Sequence, residues 1–126
     1  MNLRVSNNLN LDGCDLVKLA LKYGTPLYVF SQGMIERRCR EIKEQFLNRH
    51  EGSHAYYASK AFLTLAMCQI IEKEGLGLDV VSGGELHLAL KASFPAERIV
   101  LHGNNKLRQE IEMAVESGVG RIVVDW

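Results

Sequence analysis

The chain has 126 residues, enough for one domain with a modest core and too few for two. Lys+Arg 15 balance Asp+Glu 15, and 47% hydrophobic with 24% charged residues is ordinary for a soluble globular protein, which excludes a nucleic-acid or membrane-surface binder driven by net charge. No apolar run nears the roughly 20 residues of a membrane span. The N-terminus has no apolar signal core, and Cys14, Cys39 and Cys68 show neither C-x-x-C nor His/Cys ligand spacing. The expectation is a cytoplasmic protein with no metal and no disulfide.

Residues 1–12 are polar and Asn-rich and read as a loose lead-in. Asp15 is placed to cap a short helix whose apolar positions Leu16, Leu19, Ala20 and Tyr23 fall on one face, with Gly24 stopping it. Thr25-Pro26 then opens an extended run, Leu27-Tyr28-Val29-Phe30. Ser31 caps a second helix with the stripe Ile35, Cys39, Ile42 and Phe46. Its other face alternates in charge from Glu36 to Glu44 and reads as solvated surface.

From His54 a rhythm begins. A strand at 54–59 precedes an apolar helix at 61–74 that Gly75 ends. A strand at 78–81 leads into a helix opening at Ser82, where Ser82 and Glu85 have capping-box spacing, and Ser93-Phe94-Pro95 breaks it. A strand at 98–101, a helix at 106–117 with Leu107, Ile111, Ala114 and Val115 on one side, and a strand at 121–124 complete the pattern. The strand ends Ala58, Val80, Leu101 and Val124 recur every 21 to 23 residues. So regular an alternation predicts βαβ units and a parallel sheet paired in sequence order.

Two parallel folds suit this rhythm, the open doubly wound sheet and the (β/α)8 barrel. The open sheet wants a Gly-rich phosphate turn after its first strand, and Ser59-Lys60-Ala61 is not one. The barrel gathers its chemistry at the C-terminal ends of its strands, and here those ends carry Lys60, Asp79, His102 and Asp125. A lysine delivered to a buried strand end is unusual, and a neutral amine is what Schiff-base chemistry with an aldehyde needs. The bland alternative is a lysine snorkelling to water. Gly83-Gly84 has a phosphate-cradle reading, but the helix cap and close helix–strand packing account for both glycines. His87 reads as structural, and Tyr56 and Tyr57 point to opposite faces of their strand.

The blocks Tyr23–Val29, Tyr57-Ala58-Ser59-Lys60-Ala61, Asp79–Leu86 and His102-Gly103-Asn104-Asn105-Lys106 together resemble the alanine-racemase-like, pyridoxal-phosphate-dependent basic amino-acid decarboxylases, and within them the diaminopimelate branch. The resemblance covers about Asp15 to Asp125. It implies an α/β chain forming part of a pyridoxal-phosphate-binding (β/α)8 (TIM) barrel, about the first three βα units and the fourth strand. It implies a division into 1–32, a segment that joins a C-terminal β-domain, and 33–126, the barrel part. Lys60 would form the Schiff base with pyridoxal 5'-phosphate, with Asp79 and His102 beside the cofactor. The implied activity is decarboxylation of meso-2,6-diaminopimelate to L-lysine in lysine biosynthesis, on a small amino-acid substrate, in an enzyme that works as a homodimer.

A whole barrel takes roughly 250 residues, so the later phosphate loop, the acid that pairs with the pyridine nitrogen and the C-terminal domain with its catalytic cysteine are not in these 126 residues. The expectation is an N-terminal part that is inactive alone. Ornithine, arginine or carboxynorspermidine as substrate, and a non-catalytic pyridoxal-phosphate-binding or remnant protein, are the alternatives. Segment 26–30 is expected to stay outside the parallel sheet.

Overall fold

The computed structural model describes residues 8–124. They divide into two compact units, the first ending at Ile35 and the second starting at Glu36.

The first unit opens with an antiparallel hairpin, β1 (Asn10–Leu11) and β2 (Cys14–Asp15), in the register Asn10↔Asp15 and Leu11↔Cys14. Its two-residue turn is Asp12-Gly13, with both φ values positive (48° and 77°), the conformation that twists with the strands and that Asp-Gly favours. The expected loose lead-in is therefore ordered from Asn10 on, and the Asp-Gly pair was its signal. Asp15 caps helix α1 (Leu16–Tyr23), accepting from the Val17 and Lys18 amides at 2.9 and 3.1 Å. Gly24 closes it with φ 84° and a hydrogen bond from its amide to the Ala20 carbonyl. After a cis Thr25–Pro26 bond, residues 27–30 form no strand and expose Tyr28 (89%) and Phe30 (52%). Ser31 Oγ then accepts from the Met34 amide at 3.0 Å and starts helix α2 (Gln32–Gln45). The Asp12 carboxylate ties the hairpin turn to this start, accepting from Ser31 Oγ and from the Gly33 amide.

In the second unit four strands pair in parallel and in sequence order: β3 (Tyr56–Ala58), β4 (Gly77–Val80), β5 (Ile99–Leu101) and β6 (Arg121–Ile122). Helices α3 (Leu65–Lys73), α4 (Gly83–Lys91) and α5 (Arg108–Glu116) connect them. This is the predicted α/β rhythm, with β3, β5 and β6 shorter than expected and β4 starting one residue earlier. The first connecting helix also starts later than expected. Ser59–Ala61 is one turn of 3-10 helix, and Thr64, accepting from the Met67 amide at 3.1 Å, is the true N-cap.

The core lies between one sheet face and these three helices. Leu78, Val80, Ile99 and Leu101 are fully buried from the strands, as are Cys68, Leu86, Ala89 and Ala114 from the helices. Each fully buried Leu or Ile contributes roughly 1.5–3 kcal/mol. Each of these three helices ends the same way, with one residue in left-handed conformation (Gly75 φ 77°, Ser93 φ 59°, Gly118 φ 73°) and the next amide bonding to the carbonyl of Ile71, Ala89 or Ala114, inside the last turn. The residue after each turn is apolar, with Leu76 and Phe94 buried and Val119 half-buried.

One expectation about a helix face needs correction. The charged face of α2 is not simply solvated. Lys43 Nζ reaches Glu74 Oε2 at 2.8 Å and Arg40 Nη2 reaches Oε1 at 3.2 Å, on a Glu74 side chain only 6% exposed at the end of α3. The hydrogen bond from Lys43, reinforced by Arg40, holds the Glu74 carboxyl below the usual carboxylate range. On α5 only Ala114 of the apolar stripe is buried, while Leu107, Ile111 and Val115 stay exposed.

Candidate active site

Strand alternation sends Tyr57, Leu78 and Ile99 to the helix side of the sheet. Tyr56, Gly77, Asp79, Val100 and Arg121 line the other side, which is half open. Tyr56 lies across Gly77, where a Cβ would come 2.4 Å from its ring, and its hydroxyl accepts from Arg121 Nη1 at 3.1 Å. The two tyrosines do face opposite ways.

Lys60 leaves from the 3-10 turn just beyond the C-terminal end of β3. That turn is anchored below it: Ser59 is 2% exposed, and the Tyr57 hydroxyl donates to the Phe62 carbonyl at 2.8 Å. Burial pushes the Tyr57 phenol up, which keeps it a donor. Lys60 itself is exposed and, among the described residues, has no hydrogen-bond or ion-pair partner. The expectation of a buried strand end is thus wrong for the amine, since the turn lifts it clear of the core.

Asp79 sits on β4 between its ladder partners Ala58 and Val100, so Lys60 and His102 each lie two residues past those partners. The four strand-end residues are therefore not one row, because Asp79 stands a step lower than Lys60 and His102. Asp125 falls outside the described residues. Asp79 Oδ1 is buried and has no hydrogen-bond donor among the described residues. His102 Nδ1 stands 3.7 Å from it, beyond hydrogen-bond range but within that of charge attraction when the imidazole is protonated. The side chains are 30% and 45% exposed, so the pair opens toward solvent. The His102 amide bonds to the Val80 carbonyl at 2.8 Å and extends the β4–β5 ladder, and Gly103 (φ 109°) then turns the chain close over the Val81 carbonyl.

The loop after β4 is held by carboxylates. Ser82 Oγ accepts from the Glu85 amide at 3.2 Å, Glu85 Oε2 from the Val81 amide at 2.8 Å, and Glu110 Oε1 from the Gly83 amide at 2.6 Å. The Gly83 amide that a phosphate would want is occupied, so capping is the role of this start. A Cβ at Gly83 would meet the Glu110 side chain at 3.0 Å, whereas one at Gly84 would make only an ordinary contact, 3.9 Å from Ser82 Oγ, so close packing accounts for the first glycine alone. The Glu110 and Tyr57 hydrogen bonds were invisible in the sequence. Glu110 occupies the third helical position, but the residue before α5 is Leu107, which hides the capping signature. His87 is exposed on α4, away from the strand ends.

A cavity of about 130 Å3 opens among Ser53, His54, Tyr56, Gly77 and Arg98. It lies at the N-terminal ends of β3 and β4, opposite Lys60, and is not the site of chemistry. Among the described residues no three His, Cys, Asp or Glu side chains are grouped to hold a metal ion, and no helix is long and apolar enough to cross a membrane. All three cysteines are free thiols, with burial raising Cys39 and Cys68.

Residues 32–126 match the family described as pyridoxal-dependent decarboxylase, pyridoxal binding domain. The chain is 52% identical over 118 residues to a diaminopimelate decarboxylase of Bacillus subtilis (strain 168), covering 94% of this chain and 27% of that protein. It is 51% identical over 113 residues to a diaminopimelate decarboxylase of Mycobacterium bovis, of which it covers 25%. A crystal structure of diaminopimelate decarboxylase from M. jannaschii in complex with L-lysine matches with a TM-score of 0.85 at 38% identity, over 96% of this chain and 29% of that one. The chain thus spans little more than a quarter of the length of these relatives.

Proposed function

The chain belongs to the pyridoxal-dependent decarboxylases, in their pyridoxal binding domain, and on that premise we propose that it serves the decarboxylation of meso-2,6-diaminopimelate to L-lysine, with Lys60 as the covalent anchor of pyridoxal 5'-phosphate and Asp79 and His102 as cofactor-facing residues. The single observation that carries the reading is an amine just past β3, without a partner among the described residues, together with the Asp79–His102 pair on the next two strands.

The residues fit the group. Lys60 Nζ is free to attack an aldehyde carbon, its oxygen leaving as water. The buried Asp79 Oδ1 lacks a donor among the described residues, so Asp79 would have an acceptor to offer a bound cofactor. His102, with Nδ1 3.7 Å from Asp79 Oδ1, would stand beside the same group. When bound, the cofactor ring takes up the electron pair left as carbon dioxide departs. Tyr57, through the Phe62 carbonyl, keeps the turn carrying Lys60 from unwinding. The relatives' names and the 51–52% identities favour the diaminopimelate substrate over ornithine, arginine or carboxynorspermidine. A homodimeric assembly, a cytoplasmic location and a division at residue 32, with the preceding segment serving a second domain, belong to the same reading.

The test is a chimera in which these residues replace the matching 118 of the Bacillus subtilis relative. It is expected to release carbon dioxide from diaminopimelate, and its Lys60→Ala form to release none. A folded, cofactor-loaded chimera that acts on ornithine and ignores diaminopimelate would overturn the substrate assignment.

A further inference from the structure

One side chain joins the two loops on which Asp79 and His102 depend. Glu110, on the first turn of α5, accepts from the Leu107 amide through Oε2 at 2.8 Å and from the Gly83 amide through Oε1 at 2.6 Å. Leu107 ends the loop that begins at His102, and Gly83 ends the loop that follows β4. The carboxylate is thus a two-ended clasp between neighbouring βα loops at the site end of the sheet. Both bonds are charge-assisted and short. They hold the Glu110 carboxyl below its ordinary value, the Leu107 amide contributing most.

The clasp adds to the ties that already hold the His102 loop at its start. That loop is fixed at its start by the His102 amide on Val80 and by the close approach of Gly103 to the Val81 carbonyl. Lys106 Nζ also bonds to the Gly103 carbonyl at 2.5 Å. Glu110 ties the far end of the loop to the loop after β4. The 3.7 Å gap between His102 Nδ1 and Asp79 Oδ1 is a distance between side chains on the two strands whose loops the clasp joins.

We propose that Glu110 is a positioning residue, whose carboxylate locks the loop after β5 to the loop after β4 and so fixes the His102 imidazole against Asp79. Its functional consequence rests on the cofactor-facing reading of those two residues, but its geometry does not, so it is tested without cofactor. In the wild-type 126-residue chain, a through-hydrogen-bond coupling is expected between the Gly83 amide nitrogen and the Glu110 carboxylate carbon. Glu110→Asp keeps the charge at the start of α5 and is one methylene too short to span both amides. Glu110→Gln keeps the length and one acceptor.

Amide exchange at Val81–Gly83 and at Gly103–Leu107 is expected to speed up at least about tenfold in Glu110→Asp. Glu110→Gln should show a smaller increase, with exchange at Ala114 in mid-α5 unchanged. The His102 ring resonances should shift in the same order. A residue that only capped α5 would leave Val81–Gly83 and His102 unmoved, and that result overturns the proposal. Absence of the coupling in wild-type chain overturns it too, whether or not either variant folds. Failure of the decarboxylase reading would leave all these signals in place.

Discussion

Gly77→Ala offers a sharp test of how the open face of the sheet is built. Gly77 has no unusual backbone conformation, so its lack of a side chain is a matter of space. An added Cβ would stand 2.4 and 2.5 Å from Tyr56 ring carbons and 2.7 Å from the Arg98 carbonyl oxygen. The ring could retreat only by giving up the hydrogen bond from Arg121, and the carbonyl only by parting β4 from the segment leading into β5. Overpacking of this kind costs about 1–3 kcal/mol, and the tyrosine bond adds about 1 kcal/mol. Against that, Ala suits a strand better than Gly by roughly 0.5–1 kcal/mol. The net expectation is a loss of about 1–3.5 kcal/mol, read as a fall of roughly 0.5–2 M in the urea midpoint for a slope typical of small proteins. Repeating Gly77→Ala in a Tyr56→Ala background removes the ring and leaves the carbonyl, so the added penalty should shrink by at least about 1 kcal/mol. A neutral Gly77→Ala, or the same penalty in both backgrounds, would refute the packing argument.

Two further outcomes follow from the helix ends. Ser93 holds φ 59° where α3 and α5 use glycine, so Ser93→Gly should stabilise the chain by about 0.5–1 kcal/mol, whereas a lower urea midpoint would show that its side chain matters more than its backbone. Because Lys43 and Arg40 lower the Glu74 carboxyl in the folded chain, its stabilisation is present above the unfolded carboxylate value and is lost as pH falls through the folded one. Glu74→Gln should therefore flatten the acid limb of a stability-against-pH curve, and an unchanged limb would contradict the ion triad.

The regular part of the fold was legible because period and punctuation agree. Gly75 and Gly118 sit where left-handed turns must end helices, and the apolar runs around Leu78 and Ile99 are buried strands with helices between them. What the sequence hid was tertiary. Leu27–Phe30 has strand composition, yet no ladder partner comes with it among the described residues. The α2 charges alternate as a solvated face would, and only the fold brings Glu74 beneath Lys43 and Arg40. Leu107, Ile111 and Val115 form a proper helical stripe, but periodicity says which face is apolar and not whether anything covers it. At the site, Lys60, Asp79 and His102 were each locatable as strand ends. The one-step offset of Asp79 depends on the ladder register, and the exposure of Lys60 depends on a 3-10 turn that a five-residue motif cannot announce.

The central claim is that Lys60 is the amine that holds the cofactor. The direct measurement is to incubate the 126-residue chain with one equivalent of pyridoxal phosphate, reduce with borohydride and map the modified peptides by mass. The account predicts that the peptide containing Lys60 carries the modification ahead of every other lysine, and that Lys60→Arg removes this preference while the rest of the map stays the same. Modification spread over Lys18, Lys22, Lys73 and Lys91 as readily as over Lys60, and unaltered in Lys60→Arg, would contradict it.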